Sequence, residues 1–327
     1  MTQLLGTKEW IGEAGKTFLS VRNTLENFLL NNDFSFYYFG LISKHSIYED
    51  NIDVLGGDFL NNLIPLNKFN SDYILSPEGT FRVYDHLIKS GSISSNPKGK
   101  IFYSQEFVRN EEIDEVKKGK TFSFWQTGFE IYGYSQYEST WLSLATTIDS
   151  LNHLSIEDLY FRISDKRIFE ELLGNLSLIE RRYIYKAVDL CSENAEQFHQ
   201  FFVSNGGNKD LATEITDFLK LSQEHNFTLE ELAPYIKTKR AEDGILALNL
   251  IKDKVKEKYP KNPFKFISFM PKSWDACDTL LFDARIKGYP YAVAGGGSLN
   301  AMNHPAHCYK SGAGFGVTRL VDYLVNY

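Results

Sequence analysis

Hydrophobic residues recur at helical spacing near the start of the chain. Between Gly15 and Leu30 the apolar positions are Phe18, Val21, Leu25, Phe28 and Leu29, and a run of Asn and Asp follows. This spacing predicts a first long helix that ends at the polar run. Beyond it, the stretches FSFYYFGLIS and DYILSPEGT are rich in aromatic and β-branched residues, whereas TFRVYDHLIKS returns to helical spacing. The first part of the chain is therefore predicted to mix helices and strands.

A long antiparallel hairpin is predicted in the middle of the chain. The stretches KIFYSQEFVRNEE and TFSFWQTGFEIYG have the composition of strands, and the charged segment from Ile113 to Lys120 separates them. Mixed Asp, Glu and Lys residues are typical of an exposed loop, and Gly119 is its predicted pivot. A helix is predicted from Ser139 to Leu151, and LSIEDLYFRIS returns to a strand pattern.

Residues 167–259 are predicted to be a helical insertion, because their composition shifts to Leu, Glu, Lys and Asn at helical spacing. After them, FKFISFM, CDTLLFDARI and YPYAVAGGGS read as strands, and AGFGVTRLVDYLVNY reads as a strand followed by a helix. We therefore expect an α+β fold, an antiparallel sheet flanked by helices. Its core would comprise residues 1–166 and 260–327 on either side of the insertion.

Composition narrows the class of protein. The chain has 327 residues, of which 43% are hydrophobic, so it can bury a sizeable core. The net charge of -7 argues against a broad basic surface for a polyanion. Three scattered cysteines favour neither a disulfide framework nor a zinc site, and we expect a cytoplasmic protein. No leader and no uncharged apolar run of about 18 residues is present, so no membrane association is expected.

Two segments of the predicted hairpin contain side chains that could bind a ligand. Arg109 and Glu111 in FVRNEE would share one face of a strand, where a guanidinium could clamp a phosphate and a carboxylate could accept from an amino group. An exposed ion pair is the alternative. In FSFWQTGFE, alternation places Phe124, Gln126 and Glu130 on one face with Phe122 and Gly128. A ligand floor needs such an aromatic plate with placed polar groups, although ordinary strand alternation also explains the pattern.

Other segments carry weaker signals. Glu78 and Thr80 in SPEGT could face one ligand amine, or Thr80 could simply cap a helix. The stretch GAGFGVTRL would let the backbone approach a nucleotide beneath Arg319, although such glycine-rich turns are often structural. His304 and His307 in HPAH favour a solvated loop over a metal site, and no bound metal ion is predicted from the protein's own ligands.

In this order, the segments resemble the class II aminoacyl-tRNA synthetases. FVRNEE followed by FSFWQTGFE looks like their motif 2, and GFGVTRL looks like their motif 3. The chain is most similar to the histidyl-tRNA synthetase catalytic domain, because GTKEW, LSPEGT, FWQTGFEIYG and AGGG fall where that family has similar stretches. The resemblance covers nearly the whole chain, and the helical insertion is its vaguest part.

The resemblance implies a role for each motif residue. Arg109 would hold the α-phosphate of ATP and Glu111 the adenine amino group, while Phe124 would cover one face of adenine. Arg319 would cover the other face and hold the γ-phosphate. Mg²⁺ would accompany ATP. The reaction implied is attack of an amino-acid carboxylate on the α-phosphate, which requires positioning and charge stabilisation but no protein nucleophile.

The resemblance also implies an amino-acid pocket. Glu78, Thr80 and Gln126 would lie near the α-amino group of the substrate, and Glu130 would lie deeper, at its side chain.

Several positions depart from the family pattern. Lys272 stands where the family has a catalytic arginine, with Ala276 and Cys277 at tyrosine positions. Lys272 keeps a catalytic cation and loses the fork of a guanidinium. Where the family's glycine run continues as Arg-Tyr-Asp, this chain has Ser298, Leu299 and Asn300. Gly40 replaces the motif 1 proline, and Phe122 lies near a second motif 2 arginine. We expect the protein to lack an anticodon-binding domain.

Two functions follow from this pattern of matches and departures. The first is ATP-dependent activation of an amino acid, which is not necessarily histidine, as an aminoacyl-adenylate with transfer to a tRNA or another acceptor. The alternative is a non-catalytic paralogue such as the regulatory subunit of ATP phosphoribosyltransferase. A homodimer is expected in either case.

Overall fold

The computed structural model describes residues 5–55, 57–66, 72–117, 119–174, 176–191, 194–221, 228–270, 277–299 and 309–327. Lys272, Ala276, Asn300, His304 and His307 lie outside the described residues. The helices are α1 (Glu13–Asn31), α2 (Ser46–Glu49), α3 (Ile52–Leu55), α4 (Gly57–Asn61), α5 (Thr80–Lys89), α6 (Ser92–Ser95), α7 (Ile113–Lys117), α8 (Gln136–Asn152), α9 (Lys166–Leu173), α10 (Leu178–Leu190), α11 (Ala195–Ser204), α12 (Lys209–Leu221), α13 (Lys239–Lys258) and α14 (Val317–Asn326), with a 3-10 helix at Leu229–Tyr235. The strands are β1 (Ser35–Phe36), β2 (Ile42–Lys44), β3 (Tyr73–Leu75), β4 (Gly99–Val108), β5 (Ser123–Tyr134), β6 (Leu159–Asp165), β7 (Phe264–Phe266), β8 (Cys277–Ile286), β9 (Ala292–Leu299) and β10 (Tyr309–Gly316).

The chain forms two compact units. One comprises residues 1–159 and 284–327, and the other comprises residues 160–283. The predicted helical insertion, residues 167–259, contains helices α9 to α13. The bounds of the insertion, and those of the core on either side of it, stay a prediction. The division into compact units does not define which segments are inserted into the core.

The first unit is built on a mostly antiparallel sheet. Its strands follow the order β1-β4-β5-β10-β9, in which β1 is parallel to β4 and the other pairs are antiparallel. β4 and β5 are the predicted hairpin, and their ladder runs from Gly99 opposite Tyr132 to Val108 opposite Ser123. The predicted α+β class, an antiparallel sheet flanked by helices, is confirmed.

Helices α1, α8 and α14 cover one face of this sheet. The ring of Phe18 in α1 meets the ring of Trp125 edge to face at 5.5 Å. The hydroxyls of Ser143 in α8 and Ser311 in β10 lie 2.7 Å apart, and the Ser311 hydroxyl donates to the carbonyl of Ser139. This face therefore forms the core of the unit, and the opposite face, which carries Tyr103, Gln126 and Glu130, is left for other contacts.

The second unit has its own core. Arg162 in β6 makes a bidentate pair with Asp283 in β8, with distances of 2.9 and 2.6 Å from its two nitrogens to the two carboxylate oxygens. The rings of Phe169 and Phe269 stack with their centroids 4.3 Å apart. No helix in the described ranges of either unit is long and apolar enough to cross a membrane.

The hairpin loop departs from its prediction in one respect. The charged segment from Ile113 to Lys120 contains the short helix α7, whereas its composition predicts an irregular loop. Gly119 has a φ of 111°, a conformation that favours glycine, as expected of a pivot.

Gly133 is the second-to-last residue of β5, the strand that carries Gln126 and Glu130. It has a φ of 81°, and a Cβ atom there would overlap the carbonyl of Pro97. Gly91 also has a positive φ, of 71°, in the left-handed helical region, but a Cβ atom there would meet nothing within 4 Å. We expect Gly133→Ala to lower the free energy of unfolding by about 3 kcal/mol, since it combines backbone strain with overlap. Gly91→Ala should cost only about 1 kcal/mol of strain.

Urea denaturation of the two variants measures the difference. Equal losses in the two proteins would show that the Pro97 contact does not constrain the end of β5.

Candidate functional site

Three polar side chains lie flat on the open face of the sheet. Each lies over a glycine, so that a Cβ atom at the glycine would overlap the polar side chain. The pairs are Tyr103 over Gly128, Gln126 over Gly314 and Glu130 over Gly312. The predicted alternation on β5 is confirmed for these positions, because Gly128 lies opposite Tyr103 and Glu130 lies opposite Gly312 in the strand register. The glycines therefore make room for these three polar side chains, Tyr103, Gln126 and Glu130, which together form the polar floor of the site.

Glu78 lies at the start of helix α5 and is almost fully buried. Its two carboxylate oxygens accept from the backbone N–H of Phe81 at 3.2 and 3.1 Å. Burial raises the pKa of Glu78 to about 7, although the Phe81 N–H and the nearby cation of Arg109 lower it. The alternative in which Thr80 caps this helix is wrong, because α5 starts at Thr80 without a side-chain cap hydrogen bond. Instead, Glu78 accepts from the Phe81 N–H in the first turn.

The hydroxyl of Thr80 has a different partner. It donates to Oε1 of Glu130 at 2.7 Å. Burial raises the pKa of Glu130 to about 8; the Thr80 hydroxyl lowers it and the charge of Glu78 raises it further. The hydroxyl of Tyr84 and the ammonium of Lys310 also lower this pKa. Thr80 therefore ties the start of α5 to the middle of β5.

The Tyr103 hydroxyl is hydrogen-bonded to Gln126 and lies within electrostatic reach of the Glu78 and Glu130 carboxyls. Nε2 of Gln126 donates to the Tyr103 hydroxyl at 3.2 Å. Burial raises the pKa of Tyr103 well above its usual value, and the charges of Glu130 and Glu78 raise it further. The predicted pocket residues Glu78, Thr80, Gln126 and Glu130 thus surround one buried tyrosine hydroxyl.

Arg109 lies just beyond the end of β4. The expected alternation of Arg109 and Glu111 along a strand is wrong, because β4 ends at Val108. The ladder continues for one bond, from the backbone N–H of Arg109 to the carbonyl of Phe122 at 2.8 Å. Nε of Arg109 donates to the carbonyl of Pro77 at 2.8 Å, and its guanidinium lies over the Phe124 ring, 4.9 Å from the centroid. These contacts fix the guanidinium beside an aromatic plate.

Glu111 lies in the hairpin loop, 3.6 Å from Nζ of Lys120. Burial lowers the pKa of Arg109; the charges of Glu111 and Glu78 raise it and the charge of Arg319 lowers it. Arg109 therefore lies within electrostatic reach of the pocket carboxylate on one side and of Arg319 on the other.

Arg319 belongs to the first turn of α14. Its guanidinium donates to the carbonyl of Ala292 at 2.9 Å and lies over the Tyr291 ring, 5.2 Å from the centroid. The residue is exposed, and Tyr291 also lies beside the loop pivot Gly119. Two guanidinium groups, each over an aromatic ring, thus lie within electrostatic reach of each other and could together hold an anion.

Three residues of this site were missed by the sequence reasoning. Lys310 is a lone cation in the small-residue strand YKSGAGFG, and that contrast is a signal in the sequence. Tyr103 follows from strand alternation, because Gly128, which lies opposite it, is on the same face of β5 as Gln126 and Glu130. Nothing in the sequence connects Tyr291 to Arg319, since their contact depends on how α14 packs. Lys272, predicted to be catalytic, lies outside the described residues.

Metal ligands do not cluster among the described residues, where no group of three His, Cys, Asp or Glu side chains could hold an ion. Mg²⁺ commonly binds through one or two carboxylates together with substrate phosphates. Glu78, Glu111 and Glu130 are the carboxyls of this site, and one or two of them with substrate phosphates would make a ligand set of this kind.

Comparison with known families decides the relationship. The model of the family described as histidyl-tRNA synthetase matches residues 88–319, which include most of the site. The chain belongs to the histidyl-tRNA synthetase family. The predicted resemblance to a class II synthetase catalytic domain is therefore confirmed.

The curated relatives of this family member include both histidine–tRNA ligases and a regulatory subunit of another enzyme. A histidine–tRNA ligase of Pyrobaculum aerophilum is 25% identical over 66% of this chain and 51% of the relative. An ATP phosphoribosyltransferase regulatory subunit of Alkaliphilus metalliredigens is 28% identical over 32% of this chain and 26% of the relative. The chain thus spans about half or less of the length of these relatives.

Solved structures share the fold over 99% of this chain. A histidine–tRNA ligase subunit from Alicyclobacillus acidocaldarius has a TM-score of 0.77, 16% identity and 97% of its own length covered. A protein from Bacillus halodurans C described as an ATP phosphoribosyltransferase regulatory subunit/histidyl-tRNA synthetase has a TM-score of 0.79, 14% identity and 83% of its length covered.

The buried carboxyls predict a dependence of stability on pH. The pKa of Glu130 rises from 4.5 to about 8 on folding, so the folded protein binds this proton more tightly than the unfolded chain. The resulting stability is fully present below pH 4.5 and is lost as the pH rises towards about 8. A tenfold difference in proton affinity corresponds to about 1.4 kcal/mol. Glu130→Gln removes the titration, so its free energy of unfolding should fall less steeply across this window.

Urea denaturation at a series of pH values from 4 to 9 measures this slope. Glu106→Gln, at an exposed position of β4, is the matched control and should keep the wild-type slope. A Glu130→Gln slope equal to that of the wild type would mean that folding does not shift the pKa of Glu130.

Proposed function

We propose that this protein activates an amino acid with ATP, as an aminoacyl-adenylate, for transfer to a tRNA or another acceptor. The observation that carries the proposal is the convergence of Arg109 and Arg319, each beside an aromatic ring, next to a buried pocket of carboxylates. Membership of the histidyl-tRNA synthetase family supports ATP and an amino acid as the substrates.

Each group has a proposed task. Arg109 would hold the α-phosphate, and Arg319 the γ-phosphate and one face of adenine. Phe124 would cover the other face, and Glu111 would accept from the adenine amino group. Fixed guanidinium groups stabilise the charge that develops when the amino-acid carboxylate attacks the α-phosphate and pyrophosphate leaves. Mg²⁺, when bound with the nucleotide, would supply further neutralisation of the phosphates, and Lys272 would supply a further cation.

The pocket side of the site would hold the amino acid. Glu78, Thr80 and Gln126 offer a carboxylate, a hydroxyl and an amide near one buried tyrosine hydroxyl, a set that suits an α-ammonium group. Glu130 would face the side chain of the substrate.

A cytoplasmic homodimer is part of the proposal. Exposed apolar side chains cluster in sequence around β1 and β2, where Phe36, Tyr38 and Ile42 are 52%, 73% and 49% exposed. Such side chains are consistent with a surface that is covered in an assembly.

Arg319→Ala tests the nucleotide assignment. We expect it to abolish measurable ATP binding in calorimetry and to lower amino-acid-dependent exchange of pyrophosphate into ATP by about 100-fold or more. Arg181→Ala, which removes a guanidinium from the second unit, is the matched control and should retain both signals. Unchanged ATP binding in Arg319→Ala would contradict the assignment, and absence of exchange with every amino acid would rule out activation.

The second candidate is a regulatory role. It is favoured by the similarity to a regulatory subunit of ATP phosphoribosyltransferase. It is also favoured by Leu299, a buried residue at the end of β9 where the family resemblance places a tyrosine. If it is correct, the protein should form a stable complex with the catalytic subunit of that enzyme from the same organism. Size-exclusion chromatography with light scattering measures this, and two separate peaks at micromolar concentrations would count against it.

A further inference from the structure

Lys310 is a buried cation on the same face of the sheet as Glu130. It lies on β10 two residues from Gly312, which is the register partner of Glu130. Side chains two positions apart on a strand point to the same side, and a lysine is long enough to reach a diagonal neighbour on the next strand. The ammonium lowers the pKa of the Glu130 carboxyl, as expected of a neighbouring opposite charge.

Burial makes this arrangement costly. Lys310 and Glu130 are each only 1% exposed, and a buried charge costs several kcal/mol unless it is paired and hydrogen-bonded. The Lys310 ammonium also lies 5.2 Å from the centroid of the Tyr84 ring, which offers a cation–π contact. Because a buried ion pair contributes little net stability compared with an apolar pair, stability alone is a weak reason for a lysine here.

One oxygen of Glu130 is left for a ligand. Oε1 accepts from Thr80, whereas Oε2, which faces Gly312, has no hydrogen bond of ordinary geometry with the described residues. The Tyr84 hydroxyl lies near enough to lower the pKa of this carboxyl. A buried carboxylate oxygen without a donor is unfavourable by about 1 to 3 kcal/mol, and a bound molecule that donates to it would relieve this cost.

We propose that Lys310 is a specificity-determining residue of the amino-acid pocket, and that its charge makes the pocket accept an uncharged side chain with both a donor and an acceptor and reject a cationic one. The inference rests on the proposed function and deepens it by naming the substrate class. The donor of the substrate would meet Glu130 and its acceptor would meet Lys310.

Charge accounts for the selection. Glu130 is mostly protonated at pH 7, because its pKa is raised to about 8. A lysine or arginine side chain would therefore gain little from Glu130 and would be repelled by Lys310, with little water to screen the repulsion. A carboxamide, a hydroxyl or a neutral imidazole satisfies both groups, so histidine would bind only in its neutral form.

The test compares amino acids across variants of the full chain. Pyrophosphate exchange is measured with uncharged donor–acceptor amino acids (asparagine, glutamine, serine, threonine and histidine at pH 8) and with cationic ones (lysine, arginine and ornithine). Calorimetry measures binding of the same amino acids without ATP. Lys310→Met and Lys310→Gln remove the charge, Lys310→Arg keeps it, and Lys98→Met removes an exposed lysine over the Tyr134 ring as a matched control.

We expect the wild type, Lys310→Arg and Lys98→Met to prefer an uncharged amino acid over every cationic one. In Lys310→Met and Lys310→Gln the ratio of cationic to uncharged substrate should rise at least 10-fold. A structural role alone would lower stability and leave this ratio unchanged, and that result would overturn the inference. A wild type that prefers lysine or arginine would overturn it even if neither neutral variant folds.

The two proposals fail separately. Exchange that occurs with a ratio independent of residue 310 contradicts the role of Lys310 and leaves amino-acid activation standing. Selective amino-acid binding without any exchange contradicts activation and leaves the role of Lys310 standing. If no amino acid binds or exchanges, both are wrong.

Discussion

The polar floor of the site depends on the steric space that glycine leaves on one face of a β-sheet. Facing side chains on neighbouring strands lie about 5 Å apart, so an ordinary strand crowds its partner. At Gly128, Gly312 and Gly314 there is no side chain, and Tyr103, Glu130 and Gln126 fold down into the space. The backbone thereby fixes where these polar groups lie, and the hydrogen bonds between them follow from that placement.

Burial then determines the electrostatics of this floor. Glu78 and Glu130 have lost most of their water, and loss of solvation is the largest cause of the upward shift of both pKa values. A few groups oppose it: the Phe81 N–H, the Thr80 hydroxyl and the cations of Arg109 and Lys310. Since so few groups hold the balance, the charge of the pocket is sensitive to any molecule that enters it.

Local patterns predicted much of the fold and part of the site. The hairpin of β4 and β5 and the shared face of Gln126 and Glu130 follow from alternation, which depends only on neighbouring residues. The order of the two synthetase motifs carried the family resemblance, and the family match confirms it. The roles of the site residues in binding remain proposals.

Other features could not be predicted because they depend on long-range packing. The proximity of Lys310 to Glu130 requires the register of two strands that are far apart in the chain. The SPEGT stretch allowed both a cap and a ligand contact, and only the position of α5 against β5 shows that Thr80 donates to Glu130. The short helix α7 was hidden by the charged composition of its loop.

The overlap between glycine and polar side chain has an evolutionary consequence. At position 312 the backbone carbonyl of Phe129 blocks a Cβ atom as well as Glu130 does, so this glycine should stay fixed. Position 314 can gain a methyl group only if position 126 becomes shorter, and the same holds for 128 with 103. Related chains that recognise other molecules should therefore change these positions as pairs. Covariation within each pair would trace how a lineage reshaped its binding floor while the strands beneath it stayed in register.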